Sequence, residues 1–451
     1  MLLNTFTKRA GVAMASVVAL GALVAGCGTS NNSSSGSGNS SNSGNTTTTT
    51  STGTSGASGS VELFSWWTGV ASSKALQQFI NLYEKQYPGV KVVNAAVAGG
   101  AGSNAKAVLA SRMEANKPPG TFQVHAGRGS LYSWVQAGDM APLNSLYQQM
   151  GWNKVFPKSL LNLITFNGNI YAVPVDMQRD NVLWYNAKIF KKYNLTPPTT
   201  FQQFFQDAKV LKSHGITPLA LANHGNWETT LLWSDVLLGT VGPTEYNNLL
   251  DGKTSWNSPG VVQASNTFLK MMQYTNSDYE SLHWAEADGL VAKGQAAMNV
   301  MGDWAQGYFT TTAGLKPNVD FGWAPTPGTK GVFAAVADVF GLPSKLSGQA
   351  KTNATNFLKV LGSAQGQKAF NTLKGTFSPR LDANPSDYDA YSQSAMASYK
   401  KDTLVLTPGQ GAVNPGFTTA LENAMTQFVS SQNVNQFVSA LQSAAQQNPL
   451  N

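Results

Sequence analysis

The chain has 451 residues, which is too long for one compact core, so we expect two lobes or domains. Hydrophobic residues make up 42% of the sequence and can fill a sizeable core, whereas charged residues make up only 12%, about half of the usual share. The net charge of +7 is spread without runs of basic residues, which argues against a nucleic-acid-binding protein.

Residues 1–27 have the three parts of a secretory signal. Lys8 and Arg9 form the positive start, and residues 10–25 are a small and apolar run that is too short for an ordinary membrane span. The run leads to Cys27, the chain's single cysteine, which excludes an internal disulfide. Small residues before a cysteine resemble a bacterial lipobox, and that resemblance implies cleavage before Cys27 and its lipidation. A plain secretory signal is the alternative.

Residues 28–60 consist almost entirely of Ser, Gly, Asn and Thr. This segment has no charged, aromatic or large aliphatic residue whose burial could offset the entropy cost of ordering the chain. We therefore expect a disordered tether. No later apolar run is long enough to span a bilayer, so we expect membrane contact only through the N-terminal lipid.

From residue 61 onwards, short strand-like runs alternate with longer helix-like ones, which predicts an α/β fold. We expect a helix that is capped by Ser72 or Ser73 and stopped by Pro88-Gly89, because apolar residues recur at helical spacing between them. Asn167-Gly168 predicts a hairpin turn. Strands are predicted at 61–66, 90–97, 121–126, 170–175 and 331–340, with a helix-to-strand transition at 293–300. Further helices are predicted at 105–115, 201–211, 354–361 and 417–429.

The sequence lacks the usual motifs of catalytic and cofactor sites. It has no G-x-S-x-G elbow and no H-E-x-x-H helix, and its four histidines lack zinc-like spacing. Gly252-Lys253-Thr254 imitates the end of a phosphate loop, but Asn247 replaces the first glycine of that motif. A glycosidase needs two carboxylates about 5–10 Å apart, and no segment has a pattern of acids that predicts such a pair. We therefore expect no catalytic residue, no cofactor and no metal.

Several short segments instead combine tryptophan with planar polar side chains. Aromatic rings can cover the flat C–H faces of a sugar, and amides, carboxylates, imidazoles and cations can bond its hydroxyls. These segments are Ser65 to Thr68, Gln123 to His125, Gln178 to Asn181, His283-Trp284 and Gly302 to Trp304. Adjacent residues at a strand end point to opposite faces, so one of the two paired tryptophans should pack inward. We assign Trp134, Trp152, Trp184 and Trp323 to the core.

The chain after residue 60 resembles the extracellular sugar-binding proteins of bacterial ABC importers, in the maltose-binding-protein-like class. The matching segments, in family order, are LFSWW (63–67), FINLYEKQYPG (79–89), NGNIYAVP (167–174), VLWYN (182–186), PPTTFQQF (197–204), KGQAAMNVMGDW (293–304) and FGLP (340–343). Finer details are similar to the glucose/mannose-type monosaccharide binders: GGAGSN (99–104), FQVHAG (122–127), NVMGDW (299–304) and Lys374-Gly375.

This resemblance implies a ligand site. Trp67 and Trp304 would flank the sugar, Trp284 would wall the pocket, and polar side chains would bond its hydroxyls. The full set of expected ligand-binding residues is Trp66, Trp67, Gln123, His125, Gln178, Arg179, Trp284, Asp303, Trp304, Asp338, Lys374 and Gln410. Two positions depart from the family pattern: Ala71 stands near an expected acid, and Gln410 stands where a histidine is expected.

The resemblance also implies two α/β lobes of periplasmic-binding-protein type, with a hinge of three crossovers and the ligand cleft between them. We expect the crossovers near 174–176, 338 and 376–380. The N-terminal lobe would comprise residues 61–175 and 339–378, and the C-terminal lobe residues 176–338 and 379–451.

The expected protein is a monomer that is lipid-anchored to the outer face of the cell membrane. It would bind a monosaccharide, with glucose the first choice and galactose or mannose as further candidates, and deliver it to the permease subunits of an ABC importer. A maltose-like oligosaccharide is the alternative ligand. A secreted carbohydrate-active enzyme, and an adhesin or sensor that binds sugar without transport, are the alternative functions.

Overall fold

The structure is a computed structural model that describes residues 58–99 and 102–450. The expected signal, Cys27 and nearly all of the expected tether lie outside the described residues. Gly59 and Ser60, which we assigned to the tether, belong to the first strand because they pair with the neighbouring strand. Within the described part of the chain, no helix is both long and apolar enough to cross a membrane.

Helices and strands alternate along the chain, as the sequence predicts. The strands are β1 (Gly59–Phe64), β2 (Val90–Asn94), β3 (Thr121–His125), β4 (Thr165–Phe166), β5 (Asn169–Ile170), β6 (Ala172–Pro174), β7 (Gln178–Arg179), β8 (Val182–Asn186), β9 (Thr217–Ala220), β10 (Ala296–Val300), β11 (Phe321–Pro325), β12 (Val332–Val336), β13 (Asp338–Gly341) and β14 (Thr403–Leu406).

The helices are α1 (Val70–Gln86), α2 (Ser103–Glu114), α3 (Leu131–Gln136), α4 (Asn144–Met150), α5 (Lys158–Leu163), α6 (Ala187–Lys192), α7 (Phe201–Ser213), α8 (Glu228–Leu250), α9 (Pro259–Met272), α10 (Trp284–Ala292), α11 (Trp304–Gly307), α12 (Gly348–Leu361), α13 (Ala364–Lys374), α14 (Ala390–Lys401), α15 (Pro415–Ser431) and α16 (Val434–Gln447). Most helices are short, and α8 consists of two helices joined at a kink, because Gly242 has a non-helical φ of 76° and Pro243 follows it.

The first lobe is built on a five-stranded sheet of order β2-β1-β3-β13-β6. Strand β1 runs parallel to β2 and β3, whereas β13 runs antiparallel to β3 and β6. Helix α1 buries its apolar stripe in this lobe. Phe79 of α1 stacks on Phe370 of α13 at a ring distance of 4.8 Å, so a helix from late in the chain completes the early lobe.

The second lobe is built on a four-stranded sheet of order β11-β8-β10-β9. The fully buried Trp184 of β8 anchors its core: its indole N–H donates to the carbonyl of Met301 at 2.9 Å. Its ring packs on Tyr391 of α14 at 4.7 Å. The predicted core tryptophans behave as expected: Trp152 and Trp184 are buried, and Trp134 and Trp323 are half-buried against the core.

A three-stranded sheet of order β14-β12-β7 lies where the chain passes between the two larger sheets. The chain crosses between the two lobes three times: after β6 at residues 175–177, between β12 and β13 at Ala337, and after α13 at residues 375–378. We call these segments the first, second and third passages. The backbones of Met177 and Phe377 exchange two hydrogen bonds, at 2.9 and 3.3 Å, so the first and third passages pair with each other. The proposed lobe boundaries follow these passages and remain a prediction.

Three local predictions are wrong. The expected strand at 170–175 is interrupted at Tyr171, since β5 pairs with β4 whereas β6 belongs to the five-stranded sheet. The residue that precedes α1 is Gly69, which offers no side-chain cap, while Ser72 and Ser73 lie inside the first turn. The expected strand at 331–340 is two strands, because the chain changes sheet at Ala337. The hairpin turn at Asn167-Gly168 is confirmed: both residues have positive φ, at 46° and 77°, and they join β4 to β5.

Candidate functional site

A cavity of about 430 Å³ lies between the two lobes. The loop after β1, the end of β3 and the start of β13 line it from the first lobe, and the starts of α8, α10 and α11 line it from the second. Its larger side chains are Trp66, Trp67, His125, Gln178, Trp227, Glu228, His283, Trp284, Trp304, Asp338, Lys374 and Gln410. The sequence clusters of tryptophan and planar polar groups thus converge on one place.

The paired tryptophans after β1 point in different directions, as expected for adjacent residues of an extended segment. Trp67 is the inward one: it is buried against Phe370 at 4.5 Å and Phe340 at 5.4 Å, and still reaches the cavity. Trp66 is half-buried and meets the ring of His125 edge-on at 5.0 Å. Gly102 allows this placement of Trp66, since a Cβ there would lie 2.8 Å from the indole.

Two further tryptophans form the wall of the second lobe. The rings of Trp227 and Trp304 lie 6.0 Å apart. Trp304 folds back over Gly302, where a Cβ would come within 2.1 Å of its ring. Trp284 lies at the start of α10, 6.5 Å from the ring of Tyr308. The cavity therefore has aromatic surface on both sides.

A buried ionic cluster forms the floor of the cavity beside the passages between lobes. The Lys374 ammonium pairs with Asp176 and with Asp338, the latter at 2.8 Å. The Gln178 amide donates to Asp338 at 2.7 Å and to Asp176 at 3.1 Å. Asp176 and Lys374 lie in or next to the first and third passages, and Asp338 directly follows the second, so the cluster joins all three.

The protonation of this cluster follows from burial and charge. Burial lowers the pKa of Lys374, but the attraction of Asp176 and Asp338 outweighs it and the pKa is raised. Burial raises the pKa of Asp338, but Lys374 reverses that effect and the pKa is lowered. Burial raises the pKa of Asp176 to about 7 against the attraction of Lys374. The floor therefore holds the Lys374 ammonium, the Asp338 carboxylate and the Asp176 carboxyl, whose pKa lies close to neutral pH.

His125 is neutral in this setting, because burial and the positive charge of Lys106 lower its pKa to about 3. Its Nε2 lies 3.4 Å from Asp338 Oδ1. Its Nδ1 is buried and has no hydrogen-bond partner among the described residues. The same holds for Nε2 of Gln123 and for both carboxylate oxygens of Glu228. Buried polar atoms without partners are costly, so a ligand with hydroxyl groups that paired with them would recover that cost.

Nine of the expected ligand-binding residues line the cavity: Trp66, Trp67, His125, Gln178, Trp284, Trp304, Asp338, Lys374 and Gln410. The other three lie behind its wall. Gln123 accepts the backbone N–H of Trp66 at 3.1 Å, and Asp303 accepts that of Arg179 at 3.0 Å. The Arg179 guanidinium donates to Asn181 and to the carbonyl of Val332. Direct ligand contact by these three stays a prediction.

Trp227 and Glu228 line the cavity, and Asp176 belongs to its floor, although we did not predict them. His283 also lines it; we had placed it in a cluster with Trp284 but not among the expected ligand-binding residues. Trp227 and Glu228 follow Asn226, a residue with positive φ, at the loop that begins α8. An aromatic residue beside an acid at a loop-to-helix junction is the signal that could have found them. No group of three or more His, Cys, Asp or Glu side chains among residues 58–99 and 102–450 could hold a metal ion.

Comparison with known proteins gives a consistent result. The family model for bacterial extracellular solute-binding proteins matches residues 67–368. An uncharacterized ABC transporter extracellular-binding protein of Pyrococcus horikoshii is 36% identical over 381 residues, which cover 83% of this chain and 85% of the relative. The glucose-binding protein GlcS of Saccharolobus solfataricus is 29% identical over 336 residues, which cover 70% of this chain and 59% of the relative.

Among solved structures, a chitin oligosaccharide binding protein superimposes with a TM-score of 0.78 and 21% identity. The match covers 87% of this chain and 99% of that protein. At this identity the likeness shows the fold alone, and it confirms the predicted two-lobed α/β class.

Proposed function

The chain belongs to the bacterial extracellular solute-binding protein family, and from this premise we propose that it binds a monosaccharide for an ABC importer. Its family and relatives are solute-binding proteins rather than enzymes. Glucose is the first candidate, and galactose and mannose follow. The bound sugar would be delivered to the permease subunits of the importer.

One observation carries this proposal: the interlobe cavity combines aromatic walls with buried, unpartnered polar atoms. The rings of Trp66, Trp284 and Trp304 offer flat surfaces to the C–H faces of a sugar ring. His125 Nδ1 and the Glu228 carboxylate offer partners to hydroxyl groups, each of which both donates and accepts.

The size of the cavity is that of a site for a small molecule. Its volume of about 430 Å³ lies near the lower end of the range of about 300–1,000 Å³ for small-molecule pockets. The similarity to a glucose-binding relative supports the same ligand class. A maltose-like oligosaccharide remains the alternative ligand and is one outcome of the experiment below.

Binding would act through closure of the lobes. A sugar that touches Trp66 and His125 on one side and Trp284 and Trp304 on the other makes more contacts in a closed form than in an open form. This difference in affinity shifts the population toward closure. Hinge closure around a ligand is general among periplasmic binding proteins, and the closed form would be the one that docks on the permease.

We assign Cys27 as the lipid attachment site and residues 28–58 as a tether to a monomeric binding body. A flexible segment of about 30 residues reaches roughly 30 Å on average, which keeps the body near the permease. Labelled palmitate should therefore enter the wild-type protein, and the Cys27→Ser variant should lose both the label and membrane retention. Equal labelling and retention in both proteins would contradict the assignment.

Thermal unfolding of the Cys27→Ser full-length protein against a sugar panel tests the ligand. The panel contains glucose, galactose, mannose, xylose, maltose, trehalose and a short maltooligosaccharide. A ligand at 100 times its Kd adds about 2.7 kcal/mol to the free energy of unfolding, which should raise the Tm by a few degrees. A rise in Tm with a hexose supports the proposal. A rise with oligosaccharides alone would show that the ligand is an oligosaccharide and not a monosaccharide. No rise with any sugar, or turnover of a polysaccharide, would contradict the proposal.

A further inference from the structure

Glu228 is a buried acid that faces the interlobe cavity. It is the first residue of α8, is only 1% exposed, and lines the interlobe cavity. Neither of its carboxylate oxygens has a hydrogen bond of normal geometry among the described residues. A carboxylate that only stabilised the fold would be expected to have such partners.

The surroundings of Glu228 suit an anionic acceptor that faces a ligand. Burial raises its pKa to about 7, and the nearby backbone amides of Gly225, Trp227 and Trp284 partly offset that effect. The amides of Trp227 and Trp284 belong to the starts of α8 and α10, where backbone N–H groups favour negative charge. Trp227 and Trp284 also line the cavity, so the acid sits beside aromatic surface.

A neighbouring glutamate shows what a structural acid looks like here. Glu286 lies in the first turn of α10, is exposed, and accepts the backbone N–H of His283 at 2.8 Å. Glu286 thus caps its helix through a hydrogen bond, whereas the Glu228 carboxylate lies near backbone amides at the starts of α8 and α10 without a hydrogen bond of normal geometry among the described residues. Both residues are glutamates in the first turn of a helix, but Glu286 is exposed and Glu228 lines the cavity.

We propose that Glu228 is a specificity-determining residue that accepts a hydrogen bond from one particular hydroxyl of the bound sugar. This inference rests on the proposed function and deepens it, because it names a contact that sequence resemblance did not provide. A site built to hydrogen-bond a hydroxyl rejects analogues that lack it. Glu228 therefore selects among hexoses by the presence and direction of one hydroxyl.

The test is a cycle of mutations and deoxy sugars, measured by calorimetry at pH 8 on the full-length protein. Wild type, Glu228→Ala and Glu228→Gln are titrated with D-glucose and its 2-, 3-, 4- and 6-deoxy analogues. Loss of a hydrogen bond to a charged group should weaken glucose binding to Glu228→Ala by about 10- to 100-fold. The deoxy analogue that lacks the hydroxyl bound by Glu228 should bind wild type as weakly as glucose binds Glu228→Ala, and the mutation should not weaken its binding further. For each of the other analogues, the effects of the mutation and of the missing hydroxyl should add.

A purely structural role is separated by the stability of the unliganded protein. Because ionised Glu228 is disfavoured by burial, Glu228→Gln should unfold at pH 8 at a temperature no lower than wild type. The control Glu286→Ala should bind glucose as wild type does but melt at a lower temperature, because it removes the acceptor of the His283 backbone N–H.

Three results would overturn the inference. They are wild-type glucose affinity in Glu228→Ala, losses that add independently for every analogue, and a marked drop in the Tm of Glu228→Gln. A wild-type protein that binds no sugar overturns the proposed function as well, whereas sugar binding that is indifferent to Glu228 overturns this assignment alone.

Discussion

Lys374 illustrates how single residues set the character of the cleft. Its ammonium is buried between Asp176 and Asp338 and lies 5.0 Å from the centre of the Trp67 ring. Replacing one partner of such a cluster leaves the others charged and without compensation in a site of low polarity. The same side chain therefore links the passages between the lobes and lines the cavity.

Lys374→Met should lower the free energy of unfolding by about 3 kcal/mol, because it leaves Asp176 and Asp338 buried against each other. Urea denaturation at pH 7.5 measures this change. The control is Lys368→Met in the same helix, where the lysine forms an exposed ion pair with Asp387. That variant should lose less than about 1 kcal/mol. Equal losses in both variants would contradict a special role for the buried cluster.

Individual site residues could be predicted where sequence neighbours carry the signal. Trp66 and Trp67, His125 and Trp304 stand in short clusters of aromatic and planar polar groups, and the structure brings them together. Asp176 has no such context, since its significance comes from Lys374, which lies far away in the chain. Only the folded arrangement shows that this acid belongs to the floor of the cleft.

At the scale of helices and strands, the ends of strands and the starts of helices position the side chains that line the cleft. Strands β1 and β3 deliver Trp66 and His125 from one edge of the first sheet, while α10 and α11 begin with Trp284 and Trp304. The sequence predicted that strands occur, from their alternating apolar runs. It predicted residues 331–340 as one strand because every member except Asp338 is apolar or glycine. The change of sheet at Ala337 depends on pairing with β7 and β14 on one side and β3 on the other, which local pattern cannot show.

The turn between β10 and α11 positions the Trp304 ring in the cleft wall, and the Gly302→Ala variant tests this role of the turn. The new Cβ would lie about 2.1 Å from the Trp304 ring, so the ring must shift from its position in the cavity wall. We expect about tenfold weaker glucose binding, equivalent to the loss of one aromatic contact, measured by calorimetry.

Gly362→Ala is the matched control for this prediction. Its Cβ would lie 2.2 Å from the ring of Trp152, which is buried in the core away from the cleft. This variant should melt at a lower temperature yet bind glucose with wild-type affinity. Weakened binding in the control, or full affinity in Gly302→Ala, would show that the turn does not position the wall.

At the scale of the whole molecule, the three passages between lobes meet at the floor of the cleft. Met177 and Phe377 pair through their backbones, and the cluster of Asp176, Asp338 and Lys374 ties the passages together beside the ligand cavity. A ligand bound above this cluster would touch both lobes close to the axis about which they can turn. This placement makes lobe closure the expected response to binding.

The distance between spin labels on opposite lobes tests this account most directly. Cys27 is the only cysteine in the sequence, so a Cys27→Ser protein can be labelled at Val108→Cys in α2 and Glu280→Cys before α10. Pulsed electron resonance should show a shorter distance when glucose saturates the protein, while a control pair at Val93→Cys and Val108→Cys within one lobe should not change. Binding of glucose without any change in the interlobe distance, or no binding at all, would contradict closure of the lobes around a sugar.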